Sequence, residues 1–120
     1  MYQMTEAEEK FADLVWEQEP VGSGRLVRLC SDRFGWKKST TYTFLKKLCE
    51  QGIFKNEKAT VTSLISREAY LQSRGEEFVE KAFHGSLPKM IAAFMERKRL
   101  SAEQVAEIEQ MIEDYKEGRL

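Results

Sequence analysis

The chain has 120 residues but only two cysteines, two prolines and one histidine. Two cysteines, Cys30 and Cys49, cannot supply a disulfide framework or a four-cysteine metal site. The lone histidine, His84, has no neighbour in sequence to serve as base, orienter or nucleophile, so the sequence offers no catalytic constellation. It falls at an expected helix break, where capping or solvation is the ordinary role. No cluster of His, Cys and carboxylates has metal-ligand spacing, so neither metal nor cofactor is expected. Gly22-Ser23-Gly24 follows no strand and lacks the rest of a phosphate loop. No apolar run approaches the roughly 20 residues of a membrane span, which argues against membrane insertion. Residues 1–5 carry neither the basic nor the apolar region of a secretory signal. These absences favour a non-enzymatic, cytoplasmic protein whose thiols pack as small apolar groups.

The net charge of −1 conceals a strong asymmetry. Residues 22–66 hold nine bases against three acids, a local +6, whereas residues 1–21 carry −5 and residues 67–120 carry −2. A local positive field attracts polyanions whatever the overall charge. A solvated surface produces such asymmetry too, so charge alone only nominates nucleic acid.

Hydrophobic periodicity and caps then divide the chain. Thr5-Glu6-Ala7-Glu8 reads as a capping box. Phe11, Leu14 and Val15, with Ala7 and Trp16 beside them, extend that helix to about residue 18. Pro20 and Gly22 break it, and Ser23 is the expected cap of a second helix carrying Leu26, Val27, Cys30 and Phe34 on one face. Gly35 ends that helix. A third runs from Lys38 or Ser39 to Gly52, with Thr41, Phe44, Leu45 and Leu48 inward. At 100° per residue its opposite face holds Ser39, Thr43, Lys46 and Glu50, flanked by Tyr42 and Lys47. Residues 53–56 and 60–65 are β-prone on either side of Glu57-Lys58-Ala59. Three helices followed by a short hairpin is the order of a winged helix-turn-helix. The expected fold is therefore mainly α with a small β-hairpin, divided into a winged helix-turn-helix domain over residues 1–66 and a helical dimerisation domain over residues 67–120.

In the second part, a helix beginning near Arg67 aligns Leu71, Phe78, Val79, Ala82 and Phe83, with Gly75 weakening its middle. After His84-Gly85, Ser86 and Pro88 open a helix carrying Leu87, Met90, Ile91, Phe94 and Met95. Ser101, with Gln104 three residues on, caps a last helix carrying Val105, Ile108, Met111, Ile112 and Tyr115. These helices hold more apolar surface than they can cover alone. A two-fold copy of the chain would cover it, so Phe78, Phe83, Leu87, Met90, Ile91, Phe94, Val105, Ile108, Met111, Ile112 and Tyr115 are the expected dimer contacts.

Major-groove reading needs a helix with short polar and long basic side chains on its outer face. Ser39, Thr40, Tyr42, Thr43, Lys46 and Lys47 suit that task, and Lys38 at the start of the helix is counted with them. The alternatives are a winged-helix protein-binding module, for which Tyr42 is the only apolar anchor, and a DNA-binding regulator released by a small ligand or by thiol oxidation.

The run from Trp36 through Ser39-Thr40-Thr41-Tyr42-Thr43 to Leu48, followed by Gln51-Gly52-Ile53, resembles the recognition-helix segment of the penicillinase-repressor family (BlaI/MecI/CopY type). Thr5-Glu6-Ala7-Glu8 with Val15-Trp16 is similar to that family's first helix, and Phe83 to Phe94 with Leu100 to Gln104 resembles its dimerisation region. The resemblance implies a bacterial transcriptional repressor that binds a palindromic operator in double-stranded DNA as a homodimer. It implies that Ser39, Thr40 and Thr43 face bases, that Lys46 and Lys47 meet backbone or bases, and that the hairpin around Lys58 touches neighbouring phosphates. In the β-lactam-responsive branch a membrane sensor protease triggers cleavage within the tail, and the matching bond here is Ala93–Phe94. The chain has Lys37-Lys38 where the family usually has Ser-Pro, and Ala93 where the cleaved branch has asparagine. It lacks the C-terminal cysteine pair of the copper-responsive branch.

Overall fold

The computed structural model describes residues 2–97 and 99–119. Six helices and a small antiparallel sheet are present among them: α1 (Glu6–Gln18), β1 (Val21–Gly22), α2 (Ser23–Phe34), α3 (Lys38–Glu50), β2 (Phe54–Glu57), β3 (Thr60–Ser63), α4 (Arg67–Phe83), α5 (Leu87–Arg97) and α6 (Ala102–Lys116). The chain forms two compact units, Met1–Glu77 and Phe78–Leu120. None of the described helices is long and apolar enough to cross a membrane.

In the first unit, α1 starts from the expected capping box: the Glu8 N–H donates to Thr5 Oγ1 at 3.2 Å and the Thr5 N–H donates to Glu8 Oε1 at 2.7 Å. Phe11, Ala12, Leu14 and Val15 enter the core, whereas Ala7 is exposed. They meet Val21, Leu26, Cys30, Leu45, Leu48, Ile53, Phe54 and Val61 from the other elements. Tyr70 of α4 joins through Trp16, whose indole N–H donates to the Ile65 carbonyl at 3.1 Å.

Two expectations at α2 are corrected. Gly22 is its N-cap, and Ser23 is its buried first residue with no side-chain capping bond. The Ser23 N–H donates to the Ala59 carbonyl at 2.9 Å and its hydroxyl accepts from Tyr42 at 3.3 Å, so its polar groups are engaged elsewhere. Leu29, rather than Val27, packs against the core beside Phe34. Gly35 closes the helix in the left-handed region (φ 69°), which glycine enters without the Cβ penalty.

The hairpin pairs Phe54–Glu57 with Thr60–Ser63. A third strand, β1, was not expected: Val21 and Gly22 pair with Val61 and Thr60, giving the order β1-β3-β2. The turn is the two-residue type whose right-handed twist suits a hairpin, with Lys58 at φ 51° and Ala59 at φ 62°. An L-residue in that region costs about 1–2 kcal/mol. Ala59→Gly should relieve this while adding about 0.5–1 kcal/mol of unfolded-chain entropy, for a net gain of roughly 0.5 kcal/mol. Thermal melting should therefore rise by a few degrees; a lower midpoint would refute the turn strain.

In the second unit, His84 (φ 51°) and Gly85 (φ 81°) end α4, and Ser86 Oγ accepts from the Lys89 N–H at 3.2 Å to start α5. Ser101 and Gln104 form the expected capping box of α6. No residue of α5 or α6 is buried. Phe78, Phe83, Met90, Ala93, Phe94 and Arg97 line an apolar cleft of about 530 Å³.

Candidate nucleic-acid interface

Between α2 and α3 lie only Gly35, Trp36 and Lys37. This tight connection is fixed by Trp36, whose ring stands 4.4 Å from Phe44, 4.9 Å from Phe34 and 6.0 Å from Phe11. One aromatic side chain thus ties the turn to α1, α2 and α3, and sets the angle at which α3 leaves the body.

With Thr41, Leu45 and Leu48 buried, α3 presents the opposite face to solvent. Lys38, Ser39, Thr43, Lys46 and Lys47 are exposed and Thr40 is half-buried. Their hydrogen bonds differentiate them. The Thr43 hydroxyl donates to the Ser39 carbonyl at 2.9 Å, so its proton is already engaged within the helix. Tyr42 is 36% exposed, and its hydroxyl donates to Ser23 Oγ at 3.3 Å, so it braces α3 against the start of α2. Lys47 points to the other flank, where its ammonium lies 2.8 Å from Glu8 Oε2.

Lys58 occupies the exposed hairpin turn. The next carbonyl, of Ala59, accepts the Ser23 N–H at 2.9 Å. Glu19, capping the end of α1, accepts from the N–H and hydroxyl of Ser63, each at 2.8 Å. The hairpin is therefore fastened at its tip to α2 and at its far end to α1. The structure gathers the α3 residues on one helix and holds Lys58 on a hairpin pinned beside the start of α2.

Glu8 is the residue that sequence reasoning took only as a cap. Its carboxylate is 1% exposed. Burial by itself pushes this carboxyl up, but the Lys47 ammonium and the Thr5 backbone and hydroxyl outweigh it, holding the pKa below its ordinary value. A signal was available, because Glu8, Phe11, Ala12 and Val15 follow i, i+3, i+4, i+7 and so share the inward stripe.

Neither thiol is activated. Cys30 is buried and Cys49 half-buried. Burial pushes the Cys30 thiol up against the opposing influence of Thr41 and Arg33, and burial pushes Cys49 up as well. The thiolate is the reactive form, so both shifts work against oxidation as a trigger.

The penicillinase repressor family pattern matches residues 4–114 of this chain, spanning both compact units. The chain belongs to the penicillinase-repressor family. It is 24% identical over 118 residues to the penicillinase repressor of Bacillus licheniformis, covering 95% of this chain and 92% of that protein. It is 18% identical over 115 residues to the methicillin resistance regulatory protein MecI of Staphylococcus aureus, covering 92% and 94%. The MecI protein of Mammaliicoccus sciuri is 17% identical over the same length. Penicillinase-repressor proteins are transcriptional repressors rather than enzymes.

Proposed function

We propose that the protein is a homodimeric, cytoplasmic repressor that binds a palindromic operator through α3 and the β2–β3 hairpin. The observation that carries this reading is the outer face of α3. Ser39, Thr40, Thr43 and Lys46 stand together on a helix whose exit angle is fixed by Trp36, with Lys58 on a hairpin fastened beside α2. A helix of this kind reaches base edges through short side chains and phosphates through lysines. Lys38, at its first turn, and Tyr42, on its flank, complete the contacting set. Affinity would come mainly from phosphates met by the +6 segment, and specificity from α3.

Dimerisation is assigned to the second unit, because the apolar side chains of α5 and α6 have no core of their own to enter. Phe78, Leu87, Phe94, Val105, Met111, Ile112 and Tyr115 are exposed, with Phe83, Met90, Ile91 and Ile108 half-buried beside them. Release from the operator would follow loss of that contact. Cleavage of the exposed Ala93–Phe94 bond in α5, set off indirectly by a membrane sensor protease, would sever α6 from the rest and achieve it.

Replacing Thr40 and Thr43 together by alanine should reduce preference for duplex from the protein's own upstream region about tenfold or more, since Thr40 would lose a hydrogen bond of about 1 kcal/mol and Thr43 a methyl contact of about 0.8 kcal/mol. Affinity for random duplex should change less than twofold in fluorescence anisotropy. Equal losses on both duplexes would remove α3 as the reading element.

A further inference from the structure

Lys46 and Lys47 are adjacent on α3, yet successive helical residues point about 100° apart. Lys46 is exposed and makes no ion pair among the described residues. Lys47 has its ammonium 2.8 Å from a carboxylate that is 1% exposed. We propose that Glu8 divides the work of these two lysines: it holds Lys47 as a strut that positions α3 against α1, and leaves Lys46 alone to meet phosphate. The proposal rests on the reading of α3 as the DNA-facing helix.

The physical argument is the burial of Glu8. A carboxylate taken out of water needs a partner, and moving the half-exposed Lys47 ammonium away would leave the buried Glu8 uncompensated. For Lys47 to reach a phosphate it would have to abandon that ion for an anion screened by salt and water. The other oxygen of Glu8 is held by the Thr5 N–H at 2.7 Å, so the carboxylate cannot swing out to follow the ammonium without breaking the cap of α1. Beside the pair, the Gln3 N–H donates to Gln51 Oε1 at 3.3 Å and brings the chain before α1 onto the end of α3. Three contacts thus tie α1 and the chain before it to α3 and its C-cap: the ion pair, the Gln3–Gln51 bond and the Phe11–Phe44 ring contact at 6.2 Å. Lys47 is a positioning residue in this scheme.

The test compares the full-length protein with Lys46→Met and with the double variant Glu8→Gln/Lys47→Met. The double variant keeps an amide oxygen for the Thr5 N–H and leaves no buried charge unpaired, so it retains a folded reference where Lys47→Met alone would not. Anisotropy on upstream and random duplex is followed from about 50 to 200 mM salt. Lys46→Met should lower the slope of log affinity against log salt by about 0.9 per subunit. The double variant should keep the wild-type slope while its preference for the upstream duplex falls several-fold. A slope reduced as far as in Lys46→Met would make Lys47 a phosphate contact and overturn the proposal. An unchanged slope with unchanged preference would leave the pair without a positioning role and overturn it equally.

Acid unfolding reads the strut without DNA. Because the folded-state pKa of Glu8 is lowered, its stabilisation is present above the unfolded value and is lost as pH falls through the folded one. The double variant should lack that loss; an acid profile like that of the wild type would remove the strut. A wild-type protein without preference for the upstream duplex, but with this acid difference intact, would fail the DNA reading and leave the pair standing.

Discussion

Ile112→Glu is expected to yield a monomer that has lost nearly all operator affinity. Ile112 is 50% exposed in the single chain, on a helix of 15 residues that buries none of its side chains. Helices of that length are marginal in water and draw their stability from packing an apolar face. The face of α6 contains Val105, Met111, Ile112 and Tyr115, all exposed, so the covering surface has to come from elsewhere. A second copy offers the same stripe in return. A charge at its centre would be desolvated without a partner on assembly, and Glu109 and Glu113 already place negative charge alongside. If the proposed dimer binds two half-sites, its loss would turn two linked contacts into one. Affinity for a palindromic duplex should then fall by about 10²–10⁴. Sedimentation equilibrium reads the mass and anisotropy the affinity. The thermal transition of the first unit should persist, because the substitution touches none of its core. A stable dimer, or a monomer that binds as tightly as the wild type, would defeat the assignment of α6 to the interface.

Phe11→Ala should cost about 3–5 kcal/mol of stability, a large part of what a small domain possesses. The ring is fully buried and lies 6.0 Å from Trp36 and 6.2 Å from Phe44. Truncation would open a void beneath the α2–α3 connection, where Trp36 sets the direction of α3. The effect should appear twice: as a melting midpoint lowered by roughly 15 °C or more, and as altered tryptophan fluorescence below that midpoint. Phe11→Leu should lose less, about 1–1.5 kcal/mol, because most of the volume is kept. A cost below about 1 kcal/mol for Phe11→Ala would mean that the site collapses freely and that Trp36 is held by other contacts.

What could be read from the sequence was what local spacing encodes. The boxes Thr5/Glu8 and Ser101/Gln104, the stops at Gly35 and Gly52, and the stripe Thr41/Phe44/Leu45/Leu48 all depend on residues within two turns of one another. The structure reproduces each of them. Strand β1 escaped because two residues carry no periodicity, and its partner Val61 is distant in sequence from Val21. The Ser23 expectation failed for the same reason: the Ala59 carbonyl that receives its N–H lies across the sheet. The exposed face of α3 could be assigned by angle. Which of its groups are already engaged could not, since the partners of Tyr42 and Lys47 belong to α2 and α1.

The inward turn of the Thr43 hydroxyl toward Ser39 has a consequence for how sharply an operator could be told from its neighbours. With its proton donated there, the Thr43 side chain offers a base edge a methyl and a hydrogen-bond acceptor, but no donor. Against thymine it gains a methyl–methyl contact of about 0.8 kcal/mol, and against adenine or cytosine it can accept a single hydrogen bond of about 1 kcal/mol. The base pair beneath position 43 would accordingly be a tolerant one, exchanged with a few-fold change in occupancy. Stringent discrimination would have to rest on side chains such as Ser39, whose hydroxyl can still form directed bonds.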